Sequence, residues 1–478
     1  MRTPKKVDFL IIGAGPTGLG AAYHLRALGI TNFLVVDKES VPGGLSRSHR
    51  DDQGFTWDIG GHVQFSHYDY FDKVMAEAIA PTDWVSHERE SWVWMRERFI
   101  PYPFQNHLRY LPPKDLWACV EGLLEIHRRP EKPATENFQE WIRTVFGKGI
   151  ADIFLNPYNF KVWATPLTQM STSWMGERVA TTDVAKSIQN IILAKDERSW
   201  GPNHRFQFPL QGGTGNIWNQ VANLVGREHF QFDTVIERVE ANKKIAYAAD
   251  GREIAFTHCL SLMPLSVFCQ KVPALGRSLV KRAAQLRHST THVVGLGLRG
   301  QPAPELRTKC WMYFPESDCP FYRATLFSNY SPRNVPDIKT QWSLMLEVSE
   351  SVDKPVDRAR VIEEVIQGCR NTGLITARDQ IISRWHYVAP FGYPVPTVER
   401  DRILNDVQPA IEKLGLFSRG RFGGWKYEVS NQDHSFMQGV EWVERILLGV
   451  PEVTYPEGRT EKTRAMATST KPVIRRAA

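Results

Sequence analysis

No stretch of this chain stays apolar for the roughly 18 to 20 residues that cross a bilayer. The run Cys259 to Cys269 is 11 residues long and is interrupted by Ser261, Pro264 and Ser266. A basic start followed by Phe9-Leu10-Ile11-Ile12 imitates a signal peptide. Its apolar part is short and runs straight into glycines, so it reads as a first strand, and no membrane partner is expected. Closely spaced cysteines are also missing, since the six lie at 119, 259, 269, 310, 319 and 369. This excludes a small disulfide framework and a cysteine-ligated metal, and implies a reducing compartment, with the cytoplasm as the expected location. Nor is there a basic excess spread over the chain. The formal charge is +7, but residues 456–478 hold six Lys or Arg against two Glu. The folded part therefore carries no nucleic-acid footprint, and the tail reads as solvated. Internal repeats are absent.

What is there is a globular composition, with 42% hydrophobic and 23% charged residues over 478 positions, enough for two or three domains. The 15 Trp and 14 Tyr suit a nucleotide or sugar cleft as well as a core. Val7 to Ile12 reads as a buried strand, Thr17 to Leu28 as a helix and Phe33 to Asp37 as a second strand. Between the first two lies Gly13-Ala-Gly15-Pro-Thr-Gly18. Gly13 and Gly15 allow a tight turn and close phosphate approach, and Gly18 lets helix and strand pack closely. The acidic Asp37 is placed to take a ribose hydroxyl bond, with the helix N-terminus facing a pyrophosphate. Pro42-Gly43-Gly44 and Gly60-Gly61-His62 add two turns where backbone can approach a large flat ligand.

Helices are expected from Tyr68 to Ile79, Asp115 to Ile126 and Asn137 to Phe146, the last with a capping box from Asn137 to Glu140 and a stop at Gly147. Strands follow over Thr234 to Glu240, Lys244 to Ala249, Glu253 to Phe256, Thr291 to Leu298 and Ser343 to Val348, with a hairpin turn at Asp250-Gly251. Arg358 to Cys369, Asp401 to Leu414 and Ser435 to Leu448 read as helices. The resulting division is 1–66, 201–290 and 416–455 for one discontinuous dinucleotide domain. A mainly helical insertion covers 67–200, a sheet-rich substrate domain covers 291–415, and a basic tail covers 456–478.

From about Val7 to Tyr455 the chain resembles the UDP-galactopyranose mutases of the eukaryotic type. The motifs that carry the resemblance are Pro101-Tyr-Pro-Phe-Gln-Asn106, Asn156-Pro-Tyr-Asn-Phe-Lys-Val-Trp163, Gly176-Glu-Arg-Val-Ala180, Cys310-Trp-Met-Tyr-Phe-Pro315 and Asn431-Gln-Asp-His434. The resemblance implies an α/β fold: a Rossmann-like discontinuous FAD-binding domain with an inserted helical domain and a twisted antiparallel-sheet domain. It implies interconversion of UDP-galactopyranose and UDP-galactofuranose through a covalent N5 adduct of reduced FAD, with NADPH or NADH as reductant. A UDP-sugar is the implied partner, and a homo-oligomer is admitted.

Carried onto this sequence, Arg178 and Arg323 resemble the diphosphate clamp, with Tyr393 and Tyr427 as its hydroxyl partners and Asn431 beside sugar and diphosphate. Tyr102, Gln105, Asn159 and Trp163 resemble the uridine pocket, Trp311 and Tyr313 resemble residues beside sugar and diphosphate, and Phe65 and Asn203 complete the substrate set. The cofactor set comprises Gly13, Gly15, Thr17, Gly18, Asp37, Lys38, Gly44, Leu45, Gly60, Gly61, His62, Arg421 and Gln432. His62 stands by the isoalloxazine. No metal is implied. One departure is the short stretch between Asn334 and Trp342, where eukaryotic relatives carry an insertion. It bears on oligomeric arrangement and keeps a mutase for another nucleotide sugar, such as UDP-arabinopyranose or a non-uridine one, as an alternative. An amine-oxidase-like oxidoreductase and a non-enzymatic FAD-binding protein are the other readings.

Overall fold

In a computed structural model, residues 5–129, 133–175, 183–196 and 204–456 are described. The strand Lys5–Ile12 forms the middle of a seven-stranded sheet. It pairs in parallel with Phe33–Val36 on one side and with Glu253–Ser261 on the other. Leu416–Ser418 extends the parallel set on the C-terminal half of Glu253–Ser261, and the antiparallel strands Ile245–Ala248 and Ile236–Glu240 extend its N-terminal half. Parallel strands covered on both faces are apolar throughout, as Phe-Leu-Ile-Ile and Phe-Leu-Val-Val are. At Gly13 the backbone takes φ +120, and a Cβ on Gly18 would sit 2.1 Å from the Gly13 carbonyl oxygen. The strand-to-helix turn therefore closes only over glycine.

The second sheet runs Ile381–Pro394, His288–Arg299, Gln341–Glu350, Arg323–Leu326, Trp311–Tyr313, Ser91–Met95 and Arg98–Pro101. All neighbours are antiparallel except Trp311–Tyr313 and Ser91–Met95, which run parallel. The helices Pro113–His127, Phe138–Ile150, Asn156–Trp163 and Val184–Ile192 share a separate apolar core. Asn137 caps the second of these by accepting the Glu140 N–H at 3.1 Å. The stop expected at Gly147 is only a kink, φ +74, after which helix resumes and runs on toward Trp163.

Three parts of the sequence reading change. The helix Asp69–Ala78, assigned to the insertion, packs Phe71, Val74 and Met75 into the dinucleotide-sheet core beside Trp218 and Phe436. Likewise Ile403, Leu404, Val407 and Ile411 of the helix Arg400–Lys413 belong to that sheet's other face. The supposedly helical 67–200 also supplies three strands, Trp84–Glu88, Ser91–Met95 and Arg98–Pro101. Two long elements were not anticipated. Gly213–Val225 is a helix whose Gly-Thr-Gly start imitates a loop, and Ile381–Pro394 is an edge strand whose Pro390 and Gly392 sit at a register shift. The short stretch before Trp342 is a tight turn closed by bonds from Lys339 N and Thr340 Oγ1 to Asp337.

The hairpin strand Thr56–Asp58 packs on the second sheet through aromatic rings. Trp57 is fully buried, between Phe55, Phe327 and Trp385, and lies flat on Gly295 of the central strand His288–Arg299. A Cβ on Gly295 would come within 2.6 Å of the indole, whose neighbours hold it in place. Gly295→Ala is thus expected to lower stability by about 1–3 kcal/mol, the cost of overpacking. The check is a lower denaturant midpoint with an unchanged m-value. An unshifted midpoint would show that the indole yields freely.

Candidate functional site

The two sheets and the helical insertion enclose a cleft of about 1130 Å³. At one end are the glycine turn, Thr17, Lys38, Gly44 and Leu45. Asp37 fixes that turn, since its carboxylate accepts the Ala14 N–H at 2.6 Å and the Glu39 N–H at 2.9 Å. Burial raises the Asp37 carboxyl, and these two N–H bonds oppose the rise. Arg47, absent from the sequence reading, also lines this end, bonded to Tyr387 at 2.7 Å and paired with Glu39.

Midway, the strand Thr56–Asp58 delivers Gly60, Gly61 and His62 into the cleft. Burial pushes the His62 imidazole down to about 4, with Arg421 and Arg323 adding to the shift and Glu347 opposing it. The ring is therefore neutral at pH 7, and its Nδ1 is buried with no hydrogen-bond partner among the described residues. The glycine cradle, the anchored Asp37 and this orphaned nitrogen fit a flavin dinucleotide lying along the cleft. The loop's far end is tied down by Asp433, which takes both the backbone N–H and Nδ1 of His67. Burial works to raise the Asp433 carboxyl, but His434 and His67 hold it far below the usual range. Phe65, Asn431 and Gln432 line the same region, with the Gln432 side chain held by Trp218 and Gln64.

Facing His62 is a buried ion pair. Glu347 accepts Nε and Nη2 of Arg323, each at 2.7 Å, and also the Tyr322 hydroxyl at 2.6 Å and the Gly61 N–H at 3.0 Å. Burial alone would raise the Glu347 carboxyl, but the guanidinium and these hydrogen bonds hold it below the usual range. The same carboxylate keeps Arg323 firmly protonated. With two nitrogens taken, Arg323 retains Nη1 for a ligand. Tyr393 and Tyr427 stand nearby, ring centroids 5.8 Å apart, with Arg421 over both rings. Arg421 also donates to Gly392 O and Ser430 Oγ. Burial raises the Tyr393 phenol against the pull of Arg323.

At the other end Tyr102, Trp311 and Tyr313 form an aromatic wall. The Tyr102 and Tyr313 rings are 4.9 Å apart, and Arg89, another residue the sequence did not signal, lies over Tyr102 and Trp311. Three expected wall residues stand behind it instead. Gln105 is buried at 3% exposure. Asn159 turns its amide back to Leu155 O at 2.8 Å. Trp163 is in the core, edge-on to Tyr427 and Tyr393. A short helix explains the last two, because an eight-residue element can turn only one side toward the cleft. Arg178 and Asn203 lie outside the described residues. Glu347 did have a sequence signal, a carboxylate within the strand Trp-Ser-Leu-Met-Leu-Glu-Val-Ser, whose burial requires a cationic partner.

The sequence profile of the flavin containing amine oxidoreductases matches residues 16–421. A crystal structure of reduced UDP-galactopyranose mutase is 44% identical, with a TM-score of 0.92, covering 97% of this chain and 98% of that one. A CLA-producing fatty acid isomerase from P. acnes is similar at a TM-score of 0.61 and 14% identity, covering 92% of this chain and 99% of its own. Putrescine oxidase bound to putrescine gives a TM-score of 0.61 at 13% identity, covering 93% and 100%. The last two share the fold alone, and since one is an isomerase and the other an oxidase, the reaction must be read from the site.

Glu347→Gln should cost about 3 kcal/mol, because it leaves the Arg323 charge buried without its counterion. The Glu347 pKa is depressed below its ordinary 4.5 in the folded state. The pair's contribution is therefore complete above pH 4.5 and is lost as pH falls through the depressed value. Unfolding curves of parent and variant should differ most at neutral pH and converge in steps below pH 4.5. A gap independent of pH would remove the charge from the explanation.

Proposed function

We propose, for a chain that belongs to the flavin containing amine oxidoreductases and within them to the UDP-galactopyranose mutases, that Arg323 meets the diphosphate of a UDP-sugar lying against FAD. The chain is an isomerase that interconverts UDP-galactopyranose and UDP-galactofuranose. Reduced FAD, when bound, supplies the nucleophile for the anomeric carbon. The observation that carries the residue assignment is the Arg323–Glu347 pair, a guanidinium whose plane is fixed in the cleft before any substrate arrives.

As the anomeric bond breaks, negative charge collects on the departing diphosphate. A fixed cation stabilises that charge without reorganising, and the hydroxyls of Tyr393 and Tyr427 add donors. Arg178, which lies outside the described residues, is proposed as the other half of the clamp from the motif Gly176-Glu-Arg-Val-Ala180 alone. Neutral His62 offers the flavin a hydrogen-bonding nitrogen and no competing charge. The first turn of the helix Gln432–Leu448 also lines the cleft. Tyr102, Trp311 and Tyr313 receive the uracil and ribose, while Gln105, Asn159 and Trp163 brace them from behind. NADPH or NADH is the proposed reductant, needed to reduce the flavin and not consumed in proportion to product. All six cysteines are free and buried, which supports a reducing, cytoplasmic setting.

The test is anaerobic incubation of dithionite-reduced enzyme with UDP-galactofuranose, which should yield UDP-galactopyranose, while fully oxidised enzyme should yield none. Equal turnover by the two forms, or reductant consumed mole for mole, would move the reading to the oxidoreductases that the family profile also covers. Arg323→Ala should lower turnover about a hundredfold, the effect of one lost fixed donor. Arg323→Lys should recover only part, because an ammonium cannot reproduce the fork. UDP should inhibit well below the concentration at which GDP does. Comparable inhibition would favour another nucleotide sugar.

A further inference from the structure

The helix Asn156–Trp163 sends Lys161 inward, where the residue is only 8% exposed. Its Nζ donates to Glu316 O at 2.7 Å and to Cys319 O at 2.9 Å, and approaches Cys319 Sγ at 3.6 Å. The two carbonyl oxygens accept from the ammonium, and the sulfur packs beside it. Taking an ammonium out of water is costly, and burial lowers its pKa. A methionine would fill the same space without that cost. The charge thus has a use that packing alone does not explain.

Both carbonyls belong to residues 314–322, the connection between the strands Trp311–Tyr313 and Arg323–Leu326. Tyr313 and Arg323 are direct cross-strand partners at its two ends, and both line the cleft. The same helix is fastened to the strand that carries Glu347. Ser349 Oγ donates to Val162 O at 2.6 Å, and Ser351 Oγ donates to Ala164 O. One short helix therefore holds Arg323 from the loop side and its counterion Glu347 from the strand side.

We infer that Lys161 is a positioning residue for Arg323: its ammonium fixes the 314–322 loop so that the guanidinium reaches the substrate diphosphate. The inference rests on the diphosphate reading of Arg323. Misplacing a binding group by a fraction of its hydrogen-bond length weakens binding steeply. The sulfur contact is ordinary packing, since burial pushes the Cys319 thiol up to about 12 and leaves it protonated.

The test uses flavin-loaded, reduced enzyme and four variants: Lys161→Met, Lys161→Gln, Arg323→Ala, and Lys161→Met combined with Arg323→Ala. Lys161→Met should raise KM for UDP-galactofuranose about tenfold, with a smaller change in flavin-normalised kcat, and should speed amide exchange across 314–323. Lys161→Gln, which keeps two N–H donors, should fall between it and the parent, and carries the same test if Lys161→Met does not load flavin. In the Arg323→Ala background the Lys161 change should leave KM where it was. General damage to the fold would lower flavin loading and leave KM alone. Parental KM in both Lys161 variants, or a KM effect that adds in full to that of Arg323→Ala, overturns the inference. Parental KM together with parental turnover in Arg323→Ala overturns the diphosphate reading instead, whatever the exchange shows.

Discussion

Four donor groups from two distant parts of the chain converge on one carboxylate. Glu347 takes two nitrogens of Arg323, the hydroxyl of Tyr322 and the N–H of Gly61. Gly61 lies on the loop after the strand Thr56–Asp58, while Arg323 lies on the second sheet with Tyr322 just before it, so this side chain ties that loop to the sheet. Space around it is equally constrained, because a Cβ on Gly60 would lie 3.3 Å from Glu347 Oε2. A buried ion pair contributes little net stability. Its effect is on geometry, since the arginine cannot leave without stranding a charge.

Around this pair, the parts of the site differ in how rigidly they are built. The dinucleotide end relies on backbone turns with an anchoring carboxylate. The middle relies on the neutral His62 and the fastened His67. The far end relies on stacked rings with Arg89 over them. The fold as a whole is shared with a fatty acid isomerase and a putrescine oxidase. This cleft joins a glycine turn to a fixed guanidinium and an aromatic wall.

Legibility in the sequence follows the range of the interactions. The strand–helix–strand start was readable because its signal is local, with apolar runs, three glycines and an acid at the right spacing. Asn137 was readable as a cap for the same reason. The helix Gly213–Val225 was not, because its glycines serve a distant group: Cβ atoms there would strike Asp58 and Ser48. The edge strand Ile381–Pro394 was hidden by Pro390 and Gly392, which are tolerated only at a bulge that turns Tyr393 toward the cleft. Trp163, Asn159 and Gln105 were placed in the right neighbourhood by motif but one layer too far forward, since a motif does not say which face of a short helix is turned in. Arg47 and Arg89 left no local trace, as each acquires its role only when the sheets meet.

The order of strands in the first sheet also bears on how the protein is made. Lys5–Ile12 is synthesised well before one of its two neighbours, Glu253–Ser261, and before the next strand along, Leu416–Ser418. The glycine turn is thus synthesised some hundreds of residues before the sheet that braces it can close. Until then the earliest strand has a hydrogen-bonding edge with no native partner, the state in which nascent chains are most prone to mispair. The sheet around the glycine turn is therefore complete only once residues 416–418 have been made.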